Sequence, residues 1–296
     1  MHVKCPLCNR WIPTVELDFC PFCRLYIGPP RPFRIMAEDF SAPEDRGLTD
    51  TLREAVSLDE MVSRALTILW KPRVWNILLG GCSELDFRHP LWGLIMNIAG
   101  RLCLDKAPRI FLCENEGSTF TMGSNDDPLI MVGRPILRSV GLEELKAILA
   151  HEIAHIKARH MEYLTILRLI LGGFLELTGG SLATNLVMDL LFKRWRRAAE
   201  LTADRGSLIA TGDVSPMKTA LLKLHGYDPS GKGPELRDRN RIGEIIKYLG
   251  SHPDLKDRIE ALEAFYTSRE YRDARRKIEM NEEVRKVFRG EGFIYT

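Results

Sequence analysis

The chain has no internal repeat, no low-complexity tract and no uninterrupted apolar run of about 20 residues, the length that crosses a bilayer as a helix. It also lacks a charge imbalance: 42 Lys and Arg stand against 40 Asp and Glu, a formal net charge of +2. A chain so near neutrality has no general affinity for polyanions, so nucleic acid is not an expected partner. No apolar core of a secretory signal follows Met1-His2-Val3-Lys4-Cys5, which predicts a cytoplasmic, reducing setting. What is present is a 296-residue chain, 45% hydrophobic and 28% charged, the balance of a soluble globular protein with enough sequence for a substantial core.

Four of the seven cysteines fall in two C-P-x-C pairs, Cys5/Cys8 and Cys20/Cys23, separated by residues 9–19. Paired knuckles of this kind read as a closed, tetrahedral four-thiolate zinc site, with two disulfides as the alternative. Residues 1–28 are too few for an apolar core, so metal is expected to supply the folding energy of a small zinc ribbon. Lys4, Arg10 and Arg24 leave its surface open to a protein partner or nucleic acid, the former preferred. Cys82, Cys103 and Cys113 are scattered in apolar surroundings.

The densest chemical signal is His151-Glu152-Ile153-Ala154-His155. Leu142, Leu145, Ile148, Leu149, Ile153 and Ile156 recur at helical spacing around it, so this H-E-x-x-H lies on an amphipathic helix. Two histidines four apart share one helix face and can bind one zinc ion, and the glutamate between them can serve as general base on a zinc-activated water. A catalytic zinc needs a third protein ligand. The best candidate is Glu200, in Ala198-Ala199-Glu200-Leu201-Thr202-Ala203-Asp204-Arg205. Asp204 lies one turn beyond it and can accept a hydrogen bond from the far ring nitrogen of His151, fixing its tautomer. Taken alone, these carboxylates read as surface ion pairs with Arg196, Arg197 or Arg205; together with the histidines the metal reading prevails.

Three ordered motifs, A-H-E-I-A-H-I-K, A-A-E-L-T-A-D-R and Ser251-His252-Pro253-Asp254 followed by Arg258, make residues 89 to 265 resemble the HtpX-like group of zinc metallopeptidases. That group includes the CAAX prenyl protease type. Asp254 stands where the family pattern has a second proline. The resemblance implies a gluzincin with zinc on His151, His155 and Glu200 and with Glu152 as base. It implies that His252 helps to stabilise the oxyanion and that Arg258 orders the site. It also implies that the strand before the site helix, at Ser118-Thr119-Phe120-Thr121, pairs with extended substrate backbone.

The expected fold is α+β and mostly helical: a zincin-like domain with a small antiparallel sheet and an active-site helix, preceded by the ribbon. Residues 1–28 are read as ribbon, 29–50 as a stiff Pro-rich connector, 51–266 as the metallopeptidase domain and 267–296 as a charged helical tail, loosely packed or capping. Helices are expected over 51–70 and 89–104. Strands are expected over 108–114, 117–122 and 128–132, the last two joined by an Asn-Asp turn. The apolar segment 164–192 is interrupted by Arg168, Glu176, Asp189 and two Gly-Gly pairs, so a buried helical hairpin is expected rather than a membrane span. Lys193-Arg194-Trp195-Arg196-Arg197 reads as a solvated basic face, with peripheral contact to an anionic membrane as the alternative. The function expected is a zinc endopeptidase acting on extended or unfolded protein, with one catalytic and one structural zinc. The rivals are a zinc hydrolase of small amides and a ribbon-anchored adaptor or holdase with an idle or latent centre.

Overall fold

The structure, a computed structural model, describes residues 3–12, 17–55, 67–68, 75–76, 79–114, 117–171, 186–226 and 255–290. Its centre is a four-stranded sheet of β3 (Cys82–Glu84), β4 (Arg109–Cys113), β5 (Thr119–Gly123) and β6 (Pro128–Gly133) in the order β3-β4-β6-β5. Side chains alternate along its strands. Ile110, Leu112, Ile130 and Val132 enter the main core, whereas Phe111, Leu129, Met131, Phe120 and Met122 face a second apolar cluster. All six residues of β6 are buried, as expected of a strand covered on both faces.

The sheet is mixed rather than antiparallel: β4 runs parallel to β6, and only the β3–β4 and β5–β6 pairs are antiparallel. The chain leaves β4, skips one position to form β5, and returns through the Gly123–Asp127 turn to place β6 in the gap. That detour puts β5 at the end of the strand order among the described residues. At the other end, Cys82 sits directly opposite Cys113 in the β3–β4 register, and the two are disulfide-bonded with Cα atoms 4.0 Å apart. Both are thus cross-linked rather than scattered thiols; the pairing of β3 with β4 makes a bond between residues 31 apart, which local sequence does not reveal.

Helices α1 (Pro43–Ala55), α2 (Pro90–Arg101), α3 (Arg134–Ser139), α4 (Leu142–Lys157), α5 (Met161–Leu171), α6 (Leu186–Thr211), α7 (Val214–Leu224), α8 (Leu255–Tyr266) and α9 (Arg269–Arg289) surround the sheet. The principal packing is between α4 and α6, with α1 on α6, α7 on α4 and α8 on α6. Helix α4 begins after Gly141, whose N–H donates to Glu144 Oε2 at 2.7 Å, and Glu143 and Glu144 complement the positive end of the helix. Its middle, Ala147 to Ile156, is buried on every face.

The expected connector 29–50 is not merely a spacer. Ile35, Phe40 and Ala42 are buried, and α1 starts at Pro43 and packs against α6. Pro43 at the first helical position, with Glu44 and Asp45 in the first turn, is a helix start that the segment's charged composition obscures. Residues 56–66 and 69–70 of the helix expected over 51–70 lie outside the described residues, as do 172–185 of the expected apolar hairpin. Among the described residues no helix is long and apolar enough to cross a membrane. Trp195 in the basic segment, expected on a solvated face with membrane contact as the alternative, is instead fully buried in the core, edge-on to the His160 ring at 5.6 Å.

The tail packs firmly. Tyr271, Ala274 and Ile278 are buried, Lys277 pairs with Asp39 at 2.7 Å, and the Asn281 side-chain amide bonds to both N–H and C=O of Phe33. Arg285 and Arg289 grip Asp18 of the ribbon at 2.6 and 2.8 Å. In the ribbon, β1 (Val3–Lys4) pairs with β2 (Trp11–Ile12), and the Tyr26 N–H donates to Asp105 O at 2.9 Å, joining it to the body.

Candidate metal centres

Helices α4 and α6 pack against each other, and their facing side chains build the site. His151 and His155 sit one turn apart on α4, their rings perpendicular with centroids 4.7 Å apart. From α6, Glu200 joins them: donor atoms of His151, His155 and Glu200 all lie within 4.8 Å of one another, and all three residues are buried. His151 Nε2 stands 3.4 Å from Glu200 Oε2. Tetrahedral zinc with N and O ligands at about 2.0–2.2 Å places its donors roughly 3.4 Å apart, so this pair fits the ion. Glu152, 7% exposed, sits between the two histidines in sequence.

Behind the ligands lies a charged scaffold. Asp204 Oδ1 is 2.9 Å from His151 Nδ1. Arg258, on α8, clamps the same carboxylate with two hydrogen bonds, Nε to Oδ2 at 2.8 Å and Nη2 to Oδ1 at 2.6 Å, and reaches Glu200 Oε2 at 3.4 Å. Burial works against the charge on His151, but the hydrogen bonds it donates to the Asp204 and Glu200 carboxylates outweigh it and hold the imidazole well above its usual range. Burial and the neighbouring His151 push His155 well below. Burial would neutralise Asp204, yet the Arg258 guanidinium keeps it ionised, below the ordinary carboxylate range. The site brings two imidazoles and one carboxylate to a single point, a donor set that suits a divalent cation.

A second polar chain leaves the site on the opposite side. His155 Nδ1 lies 2.9 Å from His160 Nδ1, and His160 Nε2 lies 3.0 Å from Asp45 Oδ2. Neither His160 nor Asp45 stands out in the sequence. The available signal is that His160 follows His155 by one and a half turns, past the helix end at Lys157.

The residues expected at the catalytic site fall into three groups. His151, Glu152, His155, Glu200, Asp204 and Arg258 are brought together. Ser118, Thr119, Phe120 and Thr121 lie at and before the start of β5, which among the described strands pairs only with β6 and packs against α4 and α5. His252 lies outside the described residues.

In the ribbon, Cys5, Cys8, Cys20 and Cys23 converge, with Cys5 Sγ to Cys23 Sγ and Cys8 Sγ to Cys20 Sγ both 3.8 Å. Zn–S bonds of about 2.3 Å in a tetrahedron put sulfurs roughly 3.8 Å apart, so the four thiols fit a structural zinc. Burial raises the Cys5 thiol, but backbone N–H groups of Cys8 and Leu7 bring it down to about 7. Burial and the neighbouring thiols push Cys23 up to about 12. Four sulfurs this close require a cation before all can ionise.

Residues 109–265, more than half of the chain, match the family described as Peptidase family M48. The chain is 30% identical over 219 residues to the "Plastoglobule-localized metallopeptidase 48, chloroplastic" of Arabidopsis thaliana, covering 71% of this chain and 62% of that protein. It is 27% identical over 190 residues to a "Protease HtpX homolog" of Leptothrix cholodnii, covering 53% of this chain and 65% of that one. The chain thus spans less than two thirds of the length of either relative. A solved structure described as "Crystal Structure of S. mikatae Ste24p" aligns with 74% of this chain and 65% of its own, at 19% identity and a TM-score of 0.36. With the family's residues spanning β4 to α8, and a paired-histidine and glutamate cluster at their centre, the chain belongs to peptidase family M48.

Proposed function

We propose that this chain is a zinc-dependent endopeptidase acting on extended or unfolded protein segments. The observation that carries the reading is the convergence of His151, His155 and Glu200 around one point, with Glu152 on the same helix turn. These three residues would hold the ion, which when bound supplies Lewis acidity toward a carbonyl and lowers the pKa of a water. Glu152 accepts the proton of the attacking water and delivers it to the leaving amine. Asp204 holds His151 in the tautomer that leaves Nε2 free to ligate. Arg258, bonded to Asp204 and close to Glu200, positions both carboxylates rather than touching substrate. His252 serves as a donor to the oxyanion that develops on the scissile carbonyl.

The place of β5 at the end of the strand order among the described strands supports a role in substrate binding. Its backbone at Ser118–Thr121 would add an extended peptide as a further strand, giving affinity that depends little on sequence. The four-cysteine ribbon is the second, structural zinc site. It presents Leu7, Trp11 and Phe22 to solvent, 58%, 60% and 42% exposed, which suits docking of a protein partner.

Glu152→Gln tests the assignment on an unfolded protein such as denatured casein. The variant keeps its zinc and loses activity by orders of magnitude; retained activity removes Glu152 from the mechanism.

A further inference from the structure

The two histidines of the metal cluster are supported unequally. His151 meets a carboxylate directly, Asp204 at 2.9 Å. His155 meets an imidazole, His160, and only behind it a carboxylate, Asp45. The chain continues: Thr202 Oγ1 donates to Asp45 Oδ2 at 2.6 Å and accepts the Ala42 N–H at 2.9 Å. His155, His160, Asp45 and Thr202 are all at most 3% exposed. Trp195 closes the far face of His160, ring to ring at 5.6 Å.

With both imidazoles neutral, one arrangement of protons satisfies every member of this chain. An ionised Asp45 can only accept, so His160 presents N–H at Nε2 and a lone pair at Nδ1. His155 must then donate from Nδ1, which leaves the lone pair of Nε2 for a metal. The opposite arrangement puts a proton on His155 Nε2, where a metal would bind, and sets the bare His160 Nε2 against a buried carboxylate, two acceptors at 3.0 Å. The carboxylate two steps away therefore decides which nitrogen of His155 can ligate.

We propose that His160 and Asp45 are positioning residues that fix His155 as an Nε2 ligand, so that α1, outside the family-matched residues 109–265, completes the catalytic metal centre. The inference rests on the reading of His155 as a ligand. Asp45 is carried on a helix held to α6 by packing, and Thr202, which bonds it, comes from the same α6 that bears Glu200. The segment between the ribbon and the peptidase region is thereby part of the centre rather than a spacer.

The test uses the full zinc-loaded chain. Long-range proton–nitrogen NMR of the histidine rings in the unaltered protein should show His155 protonated at Nδ1 and His160 protonated at Nε2 with Nδ1 bare. The reverse tautomers overturn the proposal without any variant. Zinc affinity of the weaker of the two sites is then measured by chelator competition. Asp45→Asn and His160→Gln should each weaken it by about 10–100-fold, the usual effect of losing an outer partner of a metal-bound histidine. His160→Asn, which retains an acceptor near the Nδ1 position, should recover part of the loss seen with His160→Gln, a distinction that general loss of packing would not make. Asp45→Asn should add little in the His160→Gln background, because the carboxylate acts through the imidazole. Wild-type affinity in these variants, with His155→Ala still losing zinc, overturns the relay alone. No loss of zinc in His155→Ala overturns the ligand assignment as well.

Discussion

Ala154 and Gly206 meet where the two site helices cross: a Cβ placed on Gly206 would collide with Ala154 Cβ and lie 3.0 Å from the Phe40 ring. The glycine lets α6 approach α4 closely enough for Glu200 to share a point with His151 and His155. Gly206→Ala is predicted to destabilise the fold by about 1–3 kcal/mol through overpacking. Zinc affinity should fall with it, because α6 shifts away from α4. Ala154→Gly in the same chain should restore part of both losses. Denaturant unfolding and metal titration read the two effects, and an unaltered Gly206→Ala protein would show that the close approach is not needed.

Asp204 carries both His151 and Arg258, and all three are buried. Asp204→Asn strands the guanidinium beside Glu200 with one carboxylate instead of two. The predicted cost is about 3–5 kcal/mol, as for breaking a buried ion pair. Catalytic-site zinc affinity should drop about 10–100-fold. Parallel unfolding and zinc-binding curves check it, and a stable Asp204→Asn protein with native affinity would contradict it.

The metal motif is legible in sequence because helix geometry is local. Four-residue spacing puts His151 above His155 and Glu200 above Asp204 whatever the rest of the chain does. Tertiary partners are not legible in the same way. Asp45 stands in a charged stretch, Pro43-Glu44-Asp45-Arg46, that composition assigns to a connector, and only the packing of α1 on α6 turns it inward. Pairing of Cys82 with Cys113 follows from the β3–β4 register, and the parallel β4–β6 pair follows from the skipped strand position, neither of which is a local property. Periodicity does find β5 and β6 and their turn, since alternation and turn residues act over a few positions. Arg196-to-Arg197 basicity conceals that Arg196 is buried near Glu200, at 4.0 Å, while Arg197 faces solvent and Asp257.

Asp18 ties the ribbon to the last helix through Arg285 and Arg289. Replacing both arginines by alanine leaves a buried carboxylate, only 7% exposed, without its two charged donors. Stability is predicted to fall by about 1.5–3 kcal/mol, the scale of hydrogen bonds to a charged group. Because the arginines are themselves partly solvated, the lower end is expected. Chemical unfolding monitored at Trp11 measures it; an unshifted midpoint would mean that the tail is dispensable to the ribbon.

Chelation should release the ribbon metal and expose Cys5, Cys8, Cys20 and Cys23 together, the four thiols that cluster there. Titration with a thiol reagent in the native protein is predicted to rise by four groups per chain after chelation. The circular dichroism of α4 and α6 should persist, since those helices are held by apolar packing. A count unchanged by chelator would mean that the ribbon cysteines are held together without metal.

The most direct test of the account is zinc content per chain, measured by elemental mass spectrometry on the wild type, Glu200→Ala and the Cys5→Ser/Cys8→Ser double variant. Two zinc ions are expected in the wild type and one in each variant, with peptidase activity lost in Glu200→Ala. A single zinc that survives Glu200→Ala and disappears with the cysteines would leave a ribbon but contradict the catalytic centre of His151, His155 and Glu200.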